Sequence, residues 1–256
     1  MIDAHAHLQM PALAELDLSH YWNQVDTVVV NGTHPKDWPQ VAELAQNRQV
    51  YASYGVHPWE TQNLPGDWLE LLRHYLTRDP NAGVGEIGLD KWIRSYDLPL
   101  QKDVFLTQLA LATELERPIT IHCLKAWGTL KELLHSYEGP AFLLHAYAGP
   151  VDYIPFFAER GAYFSFSPYF LLERKKQTCQ NFLQVPRERL LLETDAPSML
   201  GPRTTWCPEQ GDFSSDHQHP GNIESLYHAV ALLLAESHSE LVTRVEENFR
   251  QWWNQS

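Results

Sequence analysis

Six side chains in this sequence have the types and the spacing to hold divalent cations. His5 and His7 stand one residue apart in "IDAHAHL", and residues two apart in a strand point to the same face. Glu86 lies in "GVGEIGLD" among Gly83, Gly85 and Gly88. A carboxylate in so apolar a segment is costly to bury unless a cation accompanies it. His122 closes "PITIH", His145 closes "AFLLH" and Asp195 closes "LLLETD". One histidine in such a position is ordinarily a hydrogen-bonded core residue. Six polar residues on five apolar runs are hard to explain that way. "DHQHP" at 216–220 repeats the His-x-His spacing without a strand pattern, so His217 and His219 are read as surface-loop residues.

Four imidazoles and two carboxylates, with no thiolate, make a mixed N/O donor set. It suits Zn, Mg, Mn, Ni or Co in a catalytic site better than a closed structural zinc site. Six ligands exceed the need of one open site. Two cations sharing a bridging carboxylate would use them, the arrangement that serves phosphoryl-transfer hydrolysis. Cys123 adjoins His122, but adjacent strand residues face opposite ways and cannot form a nucleophile–base pair.

The donors need elements that bring them together. Eight β-rich runs alternate with helical patterns: 2–8, 26–33, 50–57, 81–90, 118–124, 141–149, 161–168 and 190–197. Helical stretches are read over 35–47, about 99–116, 126–137 and 170–184, and in "VDYIPFFAER". "DWLELLRHYLTR" has Asp67 as N-cap and Glu70 three residues on, resembling a capping box, with Trp68, Leu71, Leu72 and Tyr75 on one face. A Gly/Pro/Ser-rich loop runs over 198–221. The next helix has Ile223, Leu226, Tyr227, Val230, Leu233 and Leu234 at core spacing, and a last one carries Glu246, Asn248, Phe249, Trp252 and Trp253. This alternation argues for a parallel sheet with crossovers. A closed α/β TIM (β/α)8 barrel, regular or distorted, with an extra C-terminal helix is the simplest solution, and a doubly wound open sheet the runner-up. All six donors then meet at the C-terminal mouth of the strands.

The chain has 256 residues and no linker or repeat, so 1–256 is read as a single hydrolase domain. A net charge of −13 disfavours a generic polyanion-binding surface. Its densest basic run, Arg174-Lys175-Lys176, reads as a solvated helix face, so a nucleic-acid substrate would be gripped locally. Three cysteines, Cys123, Cys179 and Cys207, give no disulfide framework. The first eight residues lack the features of a secretory signal, and no apolar run nears the ~20 residues of a membrane span. The expected location is the cytoplasm, away from membrane, and the expected state a monomer. Of nine tryptophans, Trp59, Trp92, Trp127 and Trp206 include some that follow strand ends and could stack bases; more should pack helices onto the barrel.

The ordered series "DAHAHL", "GVHPW", "GVGEIGLD", "PITIHC", "HAYAG" and "LLETDAP" resembles the TatD family of metal-dependent deoxyribonucleases, within the amidohydrolase superfamily. The resemblance runs to about residue 200, with a weaker echo at Asn248-Phe249. It implies a TIM barrel, two or more divalent metal ions, and hydrolysis of DNA or a nucleotide substrate held at the metals, often from the 3′ end. By position it implies His5, His7 and Asp195 around one metal, Glu86 as bridge, and His122 and His145 around the second. His57 in "GVHP" matches a family histidine near the substrate phosphate. Where many relatives carry Ser-Arg after the fifth-strand histidine, this chain has Cys123, Leu124 and Lys125. Lys125 could bind phosphate as a point charge or be a solvated lysine opening a helix. Ala146 and Tyr147 replace the family's usual pair after His145, and the loop 198–221 lacks its Arg-Asn pair.

The implied reaction is hydrolysis by activated water, with Asp195 as general base and Glu86 as the second catalytic carboxylate. Glu193 either supports the ligands or partners a helix cap or arginine. One rival is a metal-dependent hydrolase of a non-nucleic-acid ester, lactone or amide, or of aminoacyl-RNA. The other is a catalytically inactive metal-binding barrel.

Overall fold

The apolar runs form eight parallel strands. They are β1 (Ile2–Ala6), β2 (Thr27–Asn31), β3 (Val50–Tyr54), β4 (Gly83–Asp90), β5 (Ile119–Leu124), β6 (Phe142–Leu144), β7 (Ala162–Phe166) and β8 (Leu190–Leu192). The computed structural model describes residues 1–209 and 216–253; residues 210–215 of the expected 198–221 loop, and 254–256, lie outside the described residues. Strands pair in chain order. β8 returns to β1 through the Asp195 amide on the His5 carbonyl at 2.9 Å and the His7 amide on the Ala196 carbonyl at 2.8 Å. The buried Asp3 carboxylate adds a side-chain rung, accepting from the Thr194 amide and hydroxyl at 2.9 and 2.7 Å. The sheet therefore closes into a TIM barrel and is not an open doubly wound sheet.

Helices α1 (Ser19–Gln24), α2 (Trp38–Leu44), α3 (Trp68–Arg78), α4 (Leu98–Glu114), α5 (Trp127–Leu133), α6 (Ile154–Ala158) and α7 (Lys176–Phe182) fill the crossovers. Then come α8 (Ile223–Leu234) and the extra C-terminal α9 (His238–Trp253). These last two anchor the start of the chain, where order is hardest to keep. The Tyr227 hydroxyl of α8 accepts from the Ile2 amide at 3.0 Å and donates to the Ile2 carbonyl at 2.8 Å. On α9, Asn248 donates to the carbonyls of Arg187 and Leu190 at 2.8 Å each, and the Trp253 indole donates to Asn81 at 3.0 Å. α9 thus fixes the entry to β8 and to β4 together. No helix among the described residues is long and apolar enough to cross a membrane.

Several elements differ from the sequence expectation. β6 and β8 hold three residues each, so His145 and Asp195 lie just beyond their strands. The chain leaves extended pairing there: Ala146 and Asp195 adopt left-handed backbone at φ 42° and 51°. The run of apolar residues does not register such a turn. Asp67 does precede α3, but its side chain makes no capping bond; its backbone is at φ −101°, ψ 13° instead of the extended conformation a capping side chain needs. Leu233 is exposed, since α8 turns only its Ile223, Leu226, Tyr227, Val230 and Leu234 side to the core. His219 is buried and accepts from the Gly221 amide at 2.9 Å as a helix-turn cap, while His217 is exposed as expected.

Glycine is required at one position beside the site. Gly88 has φ 149°, and a Cβ there would stand 1.9 Å from the His122 carbonyl oxygen on the paired strand. Gly88→Ala combines backbone strain with a backbone clash, and should cost about 3 kcal/mol or more, read as a lowered urea midpoint.

Candidate metal centre

Glu86 divides its carboxylate between two groups of ring nitrogens. Its Oε2 lies 3.4 Å from His5 Nε2 and 3.1 Å from His7 Nε2. Asp195 Oδ1 faces the same two nitrogens at 3.4 and 3.5 Å. Glu86 Oε1 lies 2.9 Å from His122 Nδ1, 2.8 Å from His145 Nε2 and 3.4 Å from His57 Nε2. All are buried except His122, which is half-buried.

The strands dictate this arrangement. His5 and His7 share a face of β1 and its end. On β4, Gly88 pairs with His122 of β5, so Glu86 and Asp90 are the diagonal neighbours of that imidazole. Each takes one ring nitrogen: Glu86 Oε1 faces Nδ1, and Asp90 Oδ2 accepts from Nε2 at 2.9 Å. α4 secures this edge. Its buried Gln101 accepts from the Asp90 amide at 3.0 Å and donates to the carbonyls of Asp90 and Pro58 at 3.0 and 3.2 Å. Glu193 accepts from the Ser165 hydroxyl, and its other oxygen is 3.5 Å from His145 Nδ1. It stands beside the His145 ring, and among the described residues no ion pair joins it to an arginine.

The donor chemistry fits cations. His7 Nδ1 donates to the Asn31 carbonyl at 2.8 Å, so in the neutral ring Nε2 carries a lone pair. That lone pair points at Glu86 and Asp195, which are acceptors too. His122 repeats the pattern, with Nε2 committed to Asp90 and Nδ1 facing Glu86 and, at 3.1 Å, His145 Nε2. Acceptors converging on acceptors in a buried site need a proton or a metal ion between them. In the metal-free protein protons take that role. Burial opposes charge on His7, but hydrogen bonds to Asp195 and Glu86 win and lift its pKa to about 10. His122 and His145 are raised as well, against burial, by Asp90 and Glu86 in the first case and by Glu86 and Glu193 in the second. Burial disfavours the Glu86 and Asp195 carboxylates, yet the surrounding imidazoles hold both below the usual range.

His57 behaves differently. Its Nδ1 accepts from the Trp59 amide at 3.2 Å, so the neutral ring carries its proton on Nε2, which faces Glu86. Burial pushes its pKa down to about 4, only partly offset by Glu86. It is a neutral donor aimed into the cluster. Lys125 is exposed after β5 and makes no ion pair with the cluster among the described residues. Cys123 points away from His122, and burial raises its thiol.

The matching family model is TatD related DNase, over residues 2–254. The chain belongs to the TatD-related DNase family. An Erwinia tasmaniensis protein named 3′-5′ ssDNA/RNA exonuclease TatD is 29% identical over 238 residues, spanning 90% of this chain and 89% of that one. An Edwardsiella piscicida protein of the same name is 31% identical over 179 residues, 68% of each chain. The crystal structure of YJJV, a TatD homologue from Escherichia coli K12, superposes with a TM-score of 0.89 at 25% identity, covering 100% of this chain and 98% of that one. The chain is thus a metal-dependent hydrolase of the TatD type, and its His/Asp/Glu groups around Glu86 could bind metal.

Sequence reasoning missed Asp90 in this TatD-type site. The signal was present: Glu86, Gly88 and Asp90 are two apart on one strand, so the second carboxylate of "GEIGLD" shares the face of the first. Asp90→Ala removes the carboxylate that orients His122. Metal affinity should fall about 10–100-fold, measured by competition with a chromophoric chelator.

Proposed function

We propose that this chain is a 3′-5′ exonuclease on single-stranded DNA or RNA, acting as one hydrolase domain over 1–256 with two divalent metal ions. The observation that carries the reading is the split carboxylate of Glu86, one oxygen toward His5 and His7, the other toward His122 and His145. In this assignment His5, His7 and Asp195 would hold one ion, His122 and His145 would hold the other, and Glu86 would serve both. The names of the curated relatives support the substrate class. Buried cysteines at 123, 179 and 207, placed without a disulfide framework, support a reducing compartment such as the cytoplasm.

When bound, the ions supply Lewis-acid charge and lower the pKa of a water toward neutrality. Asp195 turns Oδ1 to His5 and His7, which leaves its second oxygen to take the proton of the attacking water. His57, neutral with its proton on Nε2, donates to a nonbridging phosphate oxygen. As the new P–O bond forms, the P–O bond to the leaving sugar oxygen breaks and that oxygen takes a proton from solvent, while Asp90 and Glu193 flank His122 and His145 throughout.

The test is metal-replete protein on 5′-labelled single-stranded DNA and RNA, beside a panel of esters, lactones and amides, with a chelated control. Shortening from the 3′ end, lost on chelation, is the expected result. Turnover of the panel without phosphodiester cleavage would replace the reading with the ester-hydrolase rival. Bound metal with no turnover on any substrate would replace it with the inactive barrel.

A further inference from the structure

All nine tryptophans lie in the described residues, and only Trp59 and Trp92 are exposed, at 47% and 57%. The other indoles are buried or half-buried. The two exposed ones come from different loops, after β3 and after β4, yet stand together: ring centroids 6.3 Å apart, planes within 26°. One carboxylate binds the ring of the first and the backbone of the second. The Trp59 indole donates to Asp90 Oδ2 at 2.8 Å, and the Trp92 amide donates to Asp90 Oδ1 at 2.5 Å. The same Oδ2 accepts from His122. The Trp59 ring and the Trp92 backbone are thus tied to a metal-centre histidine through one shared residue, and the Trp92 ring lies against the Trp59 ring, which is more than scattered surface hydrophobicity.

We propose that Trp59 and Trp92 are a nucleobase-stacking platform that seats a base of single-stranded nucleic acid beside the metal centre. The inference rests on the nuclease reading above and names how that site grips its substrate. The pair has the spacing of an offset stack rather than an open slot, so a base adds to its outer face. Stacking needs only a π-face and tolerates any base, as an exonuclease requires. The surrounding charge suits the strand's phosphates. Lys91 precedes Trp92, and its amide on the Leu124 carbonyl at 3.0 Å sets it beside Lys125 on the neighbouring strand end. Arg94 is exposed two residues beyond Trp92. In a chain of net charge −13, three cations at one sector of the mouth mark the side by which a polyanion approaches. This also gives Lys125 a role away from the metal cluster, along the strand's path.

The experiment is done on chelated protein, so that binding is read without turnover. Oligo(dT) and an abasic strand of equal length are titrated against tryptophan emission and strand anisotropy. Oligo(dT) should quench the wild-type emission and bind more tightly than the abasic strand. Trp92→Ala should weaken oligo(dT) binding at least about fivefold, the equivalent of ~1 kcal/mol of stacking, and Trp92→Phe should recover most of it. Abasic binding should be the same in all three proteins. Oligo(dT) affinity in Trp92→Ala within twofold of wild type overturns the platform, as does equal quenching by both strands. Failure of the nuclease reading is distinct: metal-loaded wild type would then cleave no strand, whatever stacks on the indoles.

Discussion

Asp195→Asn should lower kcat on a phosphodiester by about 10²–10⁴ while the barrel stays folded and retains metal. The substitution isolates proton transfer. Asparagine keeps the size of the side chain and one oxygen to face His5 and His7, but has no carboxylate to accept a proton. The backbone also accommodates it: residue 195 is at φ 51°, a left-handed conformation that asparagine adopts more readily than most residues. The amide of residue 195 still closes the barrel on the His5 carbonyl at 2.9 Å. Elemental analysis beside single-turnover kinetics separates metal loss from loss of the base. A kcat within tenfold of wild type, at full metal content, would remove Asp195 from the proton-transfer role.

The parts of this molecule that follow simple periodicities are visible in the sequence. The two-residue spacing of His5 and His7, and polar residues closing apolar runs, bring all six proposed ligands to one barrel mouth. What escapes belongs to backbone turns and to pairing across strands. The extended runs at 141–149 and 190–197 read as long strands, yet the strands end at Leu144 and Leu192, with left-handed residues following at 146 and 195. Asp90 needs the register of Gly88 on His122 before its function is evident. His219 resembles a loop residue until Gly221 and the buried turn around it are located in space. Asp3, two residues before the first ligand, reads as part of a strand; its bonds to Thr194 make it the clasp of the barrel beside Asp195. Rotation of a side chain into a cap, as at Asp67, depends on backbone angles that residue type does not determine.

Glu86→Gln should have the largest combined effect, because one carboxylate serves both groups of imidazoles. Bound metal should fall by at least one equivalent. Turnover should drop on the order of 10³-fold, the rate equivalent of about 4 kcal/mol of lost charge stabilisation. In the metal-free protein the same change acts on stability with a definite pH signature. Glu86 is held well below its ordinary value of 4.5, against burial, chiefly by His145, and by the hydrogen bond from His122, so its contribution is present above that pH and is lost as the carboxylate protonates. His7 is raised from 6.5 to about 10, so its contribution is complete below 6.5 and is lost as pH rises toward 10. Ion pairing across the cluster is therefore strongest between about 4.5 and 6.5. Glu86→Gln should lose roughly 3 kcal/mol in that window, as when one partner of a buried ion pair is removed, and progressively less toward pH 10. Urea unfolding in chelator at pH 6 and pH 9 measures the difference. A deficit that does not shrink with pH would mean that Glu86 stabilises the metal-free barrel by packing or hydrogen bonding alone, and that the imidazoles around it are neutral.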